Sequence, residues 1–319
     1  MNMNSPAVSI IIPNYNGEAL LPENLPHVLL ACETYAGSAQ CMVVDDGSTD
    51  QSLGILRSRF PQIEVVSQPE NKGFSETVAT GVKMAKDEIV ILLNTDVRPE
   101  PDFIQYLVHW FKRPDIFSVS PLIVDAADRP SKVSWNRSYF RFGRLKTYAW
   151  DLDQILRDPQ PNGFESLFAS GGSIALRKSM FLQLGGFLSL YKPFYFEDKD
   201  LGTRAWRRGW RTVFEPRSKV IHKHRSTIGR LFSNDYVSTI GKRNSLLYLC
   251  CHASWPRLLI LTLPRGIRLA FIDAARGDTT QVRALFLAMR LFPQVLAARS
   301  KLRSQNGIYR FSEILKRMH

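Results

Sequence analysis

The chain of 319 residues is long enough for one large α/β domain with an appendage, or for two small domains. Its 45% hydrophobic and 22% charged residues support a sizeable core, and no internal repeat or low-complexity stretch interrupts them. The net charge of +13 is lopsided: residues 241–319 hold 14 Lys+Arg against 3 Asp+Glu, which leaves the first 240 close to neutral.

The N-terminus lacks a basic n-region and a long apolar core, so no signal peptide is expected. VSIIIP (Val8–Pro13) reads as a buried strand closed by a polar NYNG turn, and a helix with a ragged start at Pro22 and Pro26 follows. CMVVDD (Cys41–Asp46) is a second strand, stopped by GSTD, with Ser48 or Thr49 placed to cap a helix running toward Phe60. Ile63–Ser67 is a third strand, PENKG a loop, and Phe74–Ala85 a helix. Glu88–Asn94 is nearly all apolar, as expected of a strand covered on both faces. A helix over Asp102–Phe111 and a fifth strand over Phe117–Pro121 complete the alternation.

This order suits right-handed crossovers and a mostly parallel sheet. Ligands of such sheets collect beyond the carboxyl ends of the strands, so NYNG, DDGSTD and NTD should line one crevice. From Asp125 to Gly172 the chain is irregular and rich in aromatic and basic residues, suiting a small second sheet or a loop over the site. FEDKDLGTRAWRRG then opens a helix of about three turns near Asp198. TVFEP and SKVIH read as two short strand-like runs, and beyond His222 the chain is helical and basic. Ser245–Leu263 is broken by His252, Pro256 and Arg257, so it reads as a packed or interfacial helix; a span takes about 20 apolar residues. Four cysteines (Cys32, Cys41, Cys250, Cys251) without a C-x-x-C spacing exclude a disulfide framework or zinc knuckle and fit a reducing compartment.

Several residues at strand ends carry chemistry. Asp45, Asp46 and Asp50 can accept hydrogens from a base or a ribose, and two acids in a row are more than a turn requires. Asp96 is a candidate metal ligand, with Asn94 adding a carbonyl oxygen, although N-T-D also makes a plain turn. Asp198 suits a general base, while its place at a helix start also suits an ordinary cap. His222 and His224 fall on one face of an extended run, suiting a metal shell or a satisfied core.

In order, VSIIIPNYNG, VVDDGSTD, NKGF, LLNTDV, GGSIALR, LGGF, FEDKDLGTRAWRRGW and VIH resemble glycosyltransferase family 2, inverting enzymes of the GT-A fold. The bacterial rhamnosyltransferase-like branch is the most similar. The resemblance implies a GT-A nucleotide-diphospho-sugar transferase fold, a Rossmann-like α/β sheet over residues 1–228, with a nucleotide half to about 122 and an acceptor half to about 228. A basic helical region, 229–319, would extend it. Pro13, Asn14, Tyr15, Asp45, Asp46, Lys72, Asn94, Thr95, Asp96, Gly171 and Gly172 would hold the nucleotide-sugar donor. Asp96 and His222 would bind Mg2+ or Mn2+, Asp198 would be the catalytic base, and Glu197 and Asp200 would lie on the acceptor side. A glycan or lipid-linked acceptor of envelope polysaccharide synthesis is implied, at the cytoplasmic face of the membrane. The sequence departs from the family at Asn94, where the metal motif often has a first acid, and at Val78–Thr80, where an Asn is usual.

The apolar-basic tail suits an anionic leaflet, and packing against the catalytic domain is the rival. A dehydrogenase would need G-x-G-x-x-G after the first strand, and a sugar nucleotidyltransferase a Gly-rich basic loop; neither is present. The basic tail leaves nucleic-acid binding as a rival from another class, but no nucleic-acid fold motif is present and the front is neutral. A non-catalytic relative would not need Asp96, Asp198 and His222 together.

Overall fold

The computed structural model describes residues 5–158, 160, 163–222, 232–304 and 307–318. The first half runs β1 (Val8–Asn14), α1 (Leu21–Thr34), β2 (Ala39–Asp45), α2 (Ser52–Arg59), β3 (Glu64–Ser67), α3 (Phe74–Met84), β4 (Ile89–Leu93), β5 (Val97–Pro99), α4 (Phe103–His109) and β6 (Ile116–Val124). Then come β7 (Ser138–Arg141), β8 (Arg144–Thr147), α5 (Leu152–Arg157), β9 (Phe164–Ser166), β10 (Ser173–Arg177), α6 (Lys178–Leu184), α7 (Glu197–Arg207) and β11 (Arg211–His222). The tail comprises α8 (Asn234–His252), a widened turn Leu258–Thr262, α9 (Leu263–Ala275), α10 (Thr280–Arg290), α11 (Phe292–Ser304) and α12 (Phe311–Arg317).

The main sheet has the order β3-β2-β1-β4-β10-β6-β11-β5, with β9 also on β11. β3, β2, β1 and β4 are mutually parallel, and β11 is parallel to β6. β10 runs antiparallel between β4 and β6. This reversal matters for the site. The carboxyl ends of β1, β2, β4 and β11 meet at one edge, and the start of β10 arrives at the same edge from the other direction.

Alternation along the strands explains why both faces are covered. Val8, Ile10 and Ile12 of β1 pack with Leu21 and Val28 of α1 and Leu107 of α4. Ile11, with Val90 and Leu92 of β4, packs on the other face against Val78 and Val82 of α3 and Phe181 of α6. Each such side chain, fully buried, contributes roughly 1.5–3 kcal/mol.

TVFEP and SKVIH form one strand, not two, with register shifts between Glu215 and Lys219 where it bulges along β6. The irregular middle contains a two-stranded sheet, β7 with β8. Neither Ser48 nor Thr49 caps α2; it starts later, at Ser52, whose N–H bonds Asp50. A third core joins Phe168, Tyr191 and Trp206 to Leu247 and Tyr248 of α8 and Phe311 of α12. The tail therefore packs on the sheet domain through α8 and α12. The expected boundary at 228 falls outside the described residues. All four cysteines are free.

Candidate active site

β1 and β2 end in register, with Asn14 opposite Asp45. Asn14 Nδ2 donates to Asp45 Oδ1 at 2.7 Å, and the Ser48 hydroxyl donates to the same oxygen at 2.6 Å. Asn16 and Gly17 complete the seam with hydrogen bonds to Ser48, Thr49 and Ser52. Asp45 is 0% exposed and Asn14 1%. Both were expected among the donor contacts; here Asp45 and the Asn14 amide N–H tie the two turns together, while Asn14 Oδ1 is buried without a hydrogen-bond partner among the described residues.

Asp46 is buried too, but it acts across the cleft. Its two oxygens accept the N–H groups of Lys72 (2.8 Å) and Gly73 (2.9 Å), fixing the NKGF loop over the end of β2. Of the roughly four acceptor positions of a carboxylate, Asp46 uses two and Asp45 three. Gly47, at φ 68°, permits this closure: a Cβ there would lie 2.7 Å from the backbone carbon of Glu70. Lys72 is exposed, and Pro13, Tyr15, Asn94 and Thr95 are half-buried along the same edge.

The next group assembles where β4, β10 and β11 meet. The Asn94 N–H donates to the carbonyl of Gly172 at 2.9 Å. His222, the last residue of β11, pairs in register with Val97. That register sets His222 Nε2 3.2 Å from Asp96 Oδ1. A Cβ on Gly172 would lie 3.0 Å from Asn94 Nδ2 and 3.5 Å from His222 Cε1, so glycine keeps this corner open. His224 lies outside the described residues.

On the other side of the same dipeptide stands Asp198, whose Oδ2 accepts the Gly171 N–H at 3.2 Å. Phe74, directly after the loop that Asp46 holds, also reaches Gly171: a Cβ there would touch its ring at 3.6 Å. Asp46, Asp96, His222 and Asp198 are thus linked through neighbouring contacts around Gly171–Gly172.

The charge environment differs among the acids of α7. Burial pushes Glu197 up to about 8, reinforced by the adjacent Asp198 carboxylate. Burial raises Asp198 as well, opposed by the N–H groups of Gly171 and Lys199. Glu197 Oε2 is buried and finds no hydrogen-bond partner among the described residues. Asp200 is different. It faces away from the cleft with 0% exposure, bound by Arg204 Nε (2.6 Å), His252 Nε2 (2.8 Å) and the Tyr191 hydroxyl (3.1 Å). It was expected on the acceptor side; Arg204 holds it within α7, and His252 and Tyr191 tie it to α8 and to the segment before α7.

Two features of the site were not expected from the sequence. Tyr195 and Phe196 both adopt left-handed backbone, φ 71° and 79°, immediately before Glu197. Such residues cost about 1–3 kcal/mol each and need support from their surroundings. Asn244 of α8 supplies it, its buried Nδ2 donating to the carbonyls of Tyr191 (2.8 Å), Phe194 (2.9 Å) and Tyr195 (2.9 Å). A single Asn within a basic helix carries no local signal of that role.

Among the described residues no three His, Cys, Asp or Glu side chains gather as a protein-only metal centre would require. One carboxylate and one imidazole do converge, Asp96 and His222. That donor set fits a cation whose remaining ligands are phosphate oxygens, the usual arrangement for Mg2+ at nucleotide sites.

Comparison with known proteins defines the class. The chain superposes over 99% of its length on 86% of a mannosyltransferase from Pyrobaculum calidifontis solved with GDP-Man and Mn2+, TM-score 0.56 at 17% identity. The architecture is the GT-A fold. Residues 9–185, more than half of the chain, match glycosyl transferase family 2. The chain belongs to that family and is a glycosyltransferase. It is 27% identical to the N-acetylglucosaminyl-diphospho-decaprenol L-rhamnosyltransferase of Mycobacterium tuberculosis over 258 residues, 70% of this chain and 79% of the relative. It is 32% identical over 111 residues to an undecaprenyl-phosphate 4-deoxy-4-formamido-L-arabinose transferase of Shewanella sediminis, 34% of either chain. The first similarity accords with the rhamnosyltransferase-like branch that the motifs resemble.

Proposed function

We propose that this enzyme moves a sugar, with inversion, from a nucleoside diphosphate to a hydroxyl of a lipid-linked glycan in envelope polysaccharide synthesis. The observation that carries this reading is the placement of Asp198 across Gly171–Gly172 from Asn94, Asp96 and His222. A base and a diphosphate-binding edge on two sides of one glycine pair leave room for a sugar between them.

Asp198 takes the proton of the acceptor hydroxyl as that oxygen bonds the anomeric carbon. The carbon–oxygen bond to the diphosphate breaks, and its electron pair leaves with the diphosphate. Raised basicity suits Asp198 to this task, because a base works best with a pKa closer to the working pH. Asp96 and His222 would hold Mg2+ or Mn2+, whose positive charge stabilises the leaving diphosphate when bound. Tyr15, Lys72, Asn94 and Thr95 offer surface to the nucleotide, with Asp46 behind them as an acceptor for the base.

The tail gives the acceptor reading a location. No helix among the described residues is long and apolar enough to cross a membrane. Yet Ile260 (70%), Phe271 (74%) and Met289 (66%) are exposed on consecutive, mutually packed segments, interleaved with Arg265, Arg268 and Arg290. Phe142, at the β7–β8 tip, is 70% exposed beside Leu261. Apolar side chains among arginines suit the interface of an anionic leaflet, here the inner one.

Asp198→Asn tests the central claim. Release of nucleoside diphosphate from the donor should fall at least about a hundredfold while donor affinity holds. Turnover at the wild-type rate would remove Asp198 from the role.

A further inference from the structure

A groove of about 400 Å³ lies between the start of α8 and α10, its walls mainly apolar and formed by Tyr236, Thr239, Phe286 and Leu287, with Arg283 and Asp235 on the rim. Its size is within the ~300–1,000 Å³ of small-molecule sites. Resting on the lipid-linked acceptor reading above, we propose that this groove holds the first isoprene units of the polyprenyl diphosphate that carries the acceptor glycan.

Position is the first argument. Tyr236 stacks on Phe232 at 5.3 Å and meets Phe194 edge-on at 6.3 Å. Phe194 in turn packs on Tyr195, two residues before Glu197. One end of the groove therefore adjoins the segment that leads into the reactive helix. Phe286 is 56% exposed and shares α10 with Val282 (44%) and with Met289 of the apolar face described above. A chain lying in the groove would rest against Tyr236 and Phe286, between the Phe194–Tyr195 segment and the exposed apolar residues of α10, with Arg283 and Asp235 beside it.

Chemistry is the second argument. Arg283 is exposed where it lines the groove, so its guanidinium can meet an anion at the rim. Thr239 is buried, yet its hydroxyl has no hydrogen-bond partner among the described residues. An unmatched buried hydroxyl is unfavourable and is satisfied by a ligand oxygen. Apolar walls with a cation and an unmatched hydroxyl describe a host for an amphiphile with an anionic head. An acyl phospholipid meets the same description only in part, because nothing would direct its head toward the catalytic helix.

The test uses the full chain on vesicles containing decaprenyl diphosphate with a photoreactive group on an isoprene unit near the head. Crosslinks should map to peptides covering residues 233–239 and 283–287. Leu287→Trp, which fills the groove, should reduce them at least tenfold while leaving vesicle binding unchanged. Unlabelled decaprenyl diphosphate should compete, and phosphatidylglycerol should not. Crosslinks elsewhere, equal competition by phosphatidylglycerol, or label blocked because a second copy of the chain covers the groove would each overturn the proposal. Donor turnover separates this failure from that of the functional reading. If the wild-type chain releases no nucleoside diphosphate from any nucleotide sugar with lipid-linked acceptors present, the functional reading falls whatever the labelling shows.

Discussion

His252 Nε2 lies 2.8 Å from Asp200 Oδ1, and both side chains are without solvent exposure although 52 residues separate them. Asp198 and Asp200 are two positions apart on α7, hence on opposite sides of the helix. One carboxylate faces the cleft and the other faces the tail. Asp200 is pushed up by burial but held at about 2 by Arg204 and His252. Burial lowers His252 against the pull of Asp200, which disfavours the doubly protonated ring, and its Nδ1 finds no partner among the described residues.

Stability should therefore fall in acid in two stages. Below about 6.5 the unfolded chain binds a proton at His252 that the folded one refuses. The contribution of Asp200 is complete above 3.8 and is lost as pH falls toward 2. His252→Gln should cost about 1–3 kcal/mol at pH 7.5. It should also flatten the dependence between pH 7 and 5.5, read from urea denaturation at several pH values.

The rate should depend on pH above the ordinary carboxylate range. Asp198 must be ionised to accept a proton; burial stands against that, and the N–H groups of Gly171 and Lys199 oppose burial. Glu197, held up to about 8 by burial and the Asp198 charge, is already neutral over that range, so Glu197→Gln should leave the ascending limb of kcat/KM in place. A limb moved by about a full unit would show that Glu197 carries charge where Asp198 ionises.

Removing divalent cations should stop turnover, and Mn2+ should restore it. Asp96→Ala should not be rescued at any practical Mn2+ concentration, since the hard ligand is lost. His222→Ala should recover at concentrations about tenfold higher, because phosphate oxygens and Asp96 remain. Full activity after exhaustive chelation would contradict a metal-assisted leaving group.

Binding to vesicles rich in phosphatidylglycerol should weaken between 0.05 and 0.5 M salt, as screening shortens the reach of the arginines, with a Debye length of about 10 Å at 0.1 M. Phe271→Asp should weaken it further, by about tenfold, without changing donor affinity. Sedimentation with vesicles reads both, and an unaltered partition in that variant would move the contact elsewhere.

The strand-end turns were legible because β1, β2 and β4 are short, apolar and closed by polar residues, so their carboxyl ends had to share an edge. The reversed β10 was not, since SIALR has the same apolar composition in either direction; only its pairing with Leu93 and Ser118 orients it. Asp198 and Asp200 were indistinguishable as helix-start acids, because what separates them is a histidine from another part of the chain. As strand-end acids Asp45 and Asp46 look alike, the family resemblance favouring Asp46 for the base; only the fold shows Asp45 turned inward toward Asn14.

Asn244 has a wider implication. Three carbonyls of the segment that aims Glu197 and Asp198 hang on one amide from beyond residue 228. Shortening the chain to the family's matched region would release those carbonyls and strip Asp200 of its imidazole, leaving the reactive helix without its outer wall. The helical tail and the sheet would thus have to be inherited, expressed and swapped between relatives as one piece.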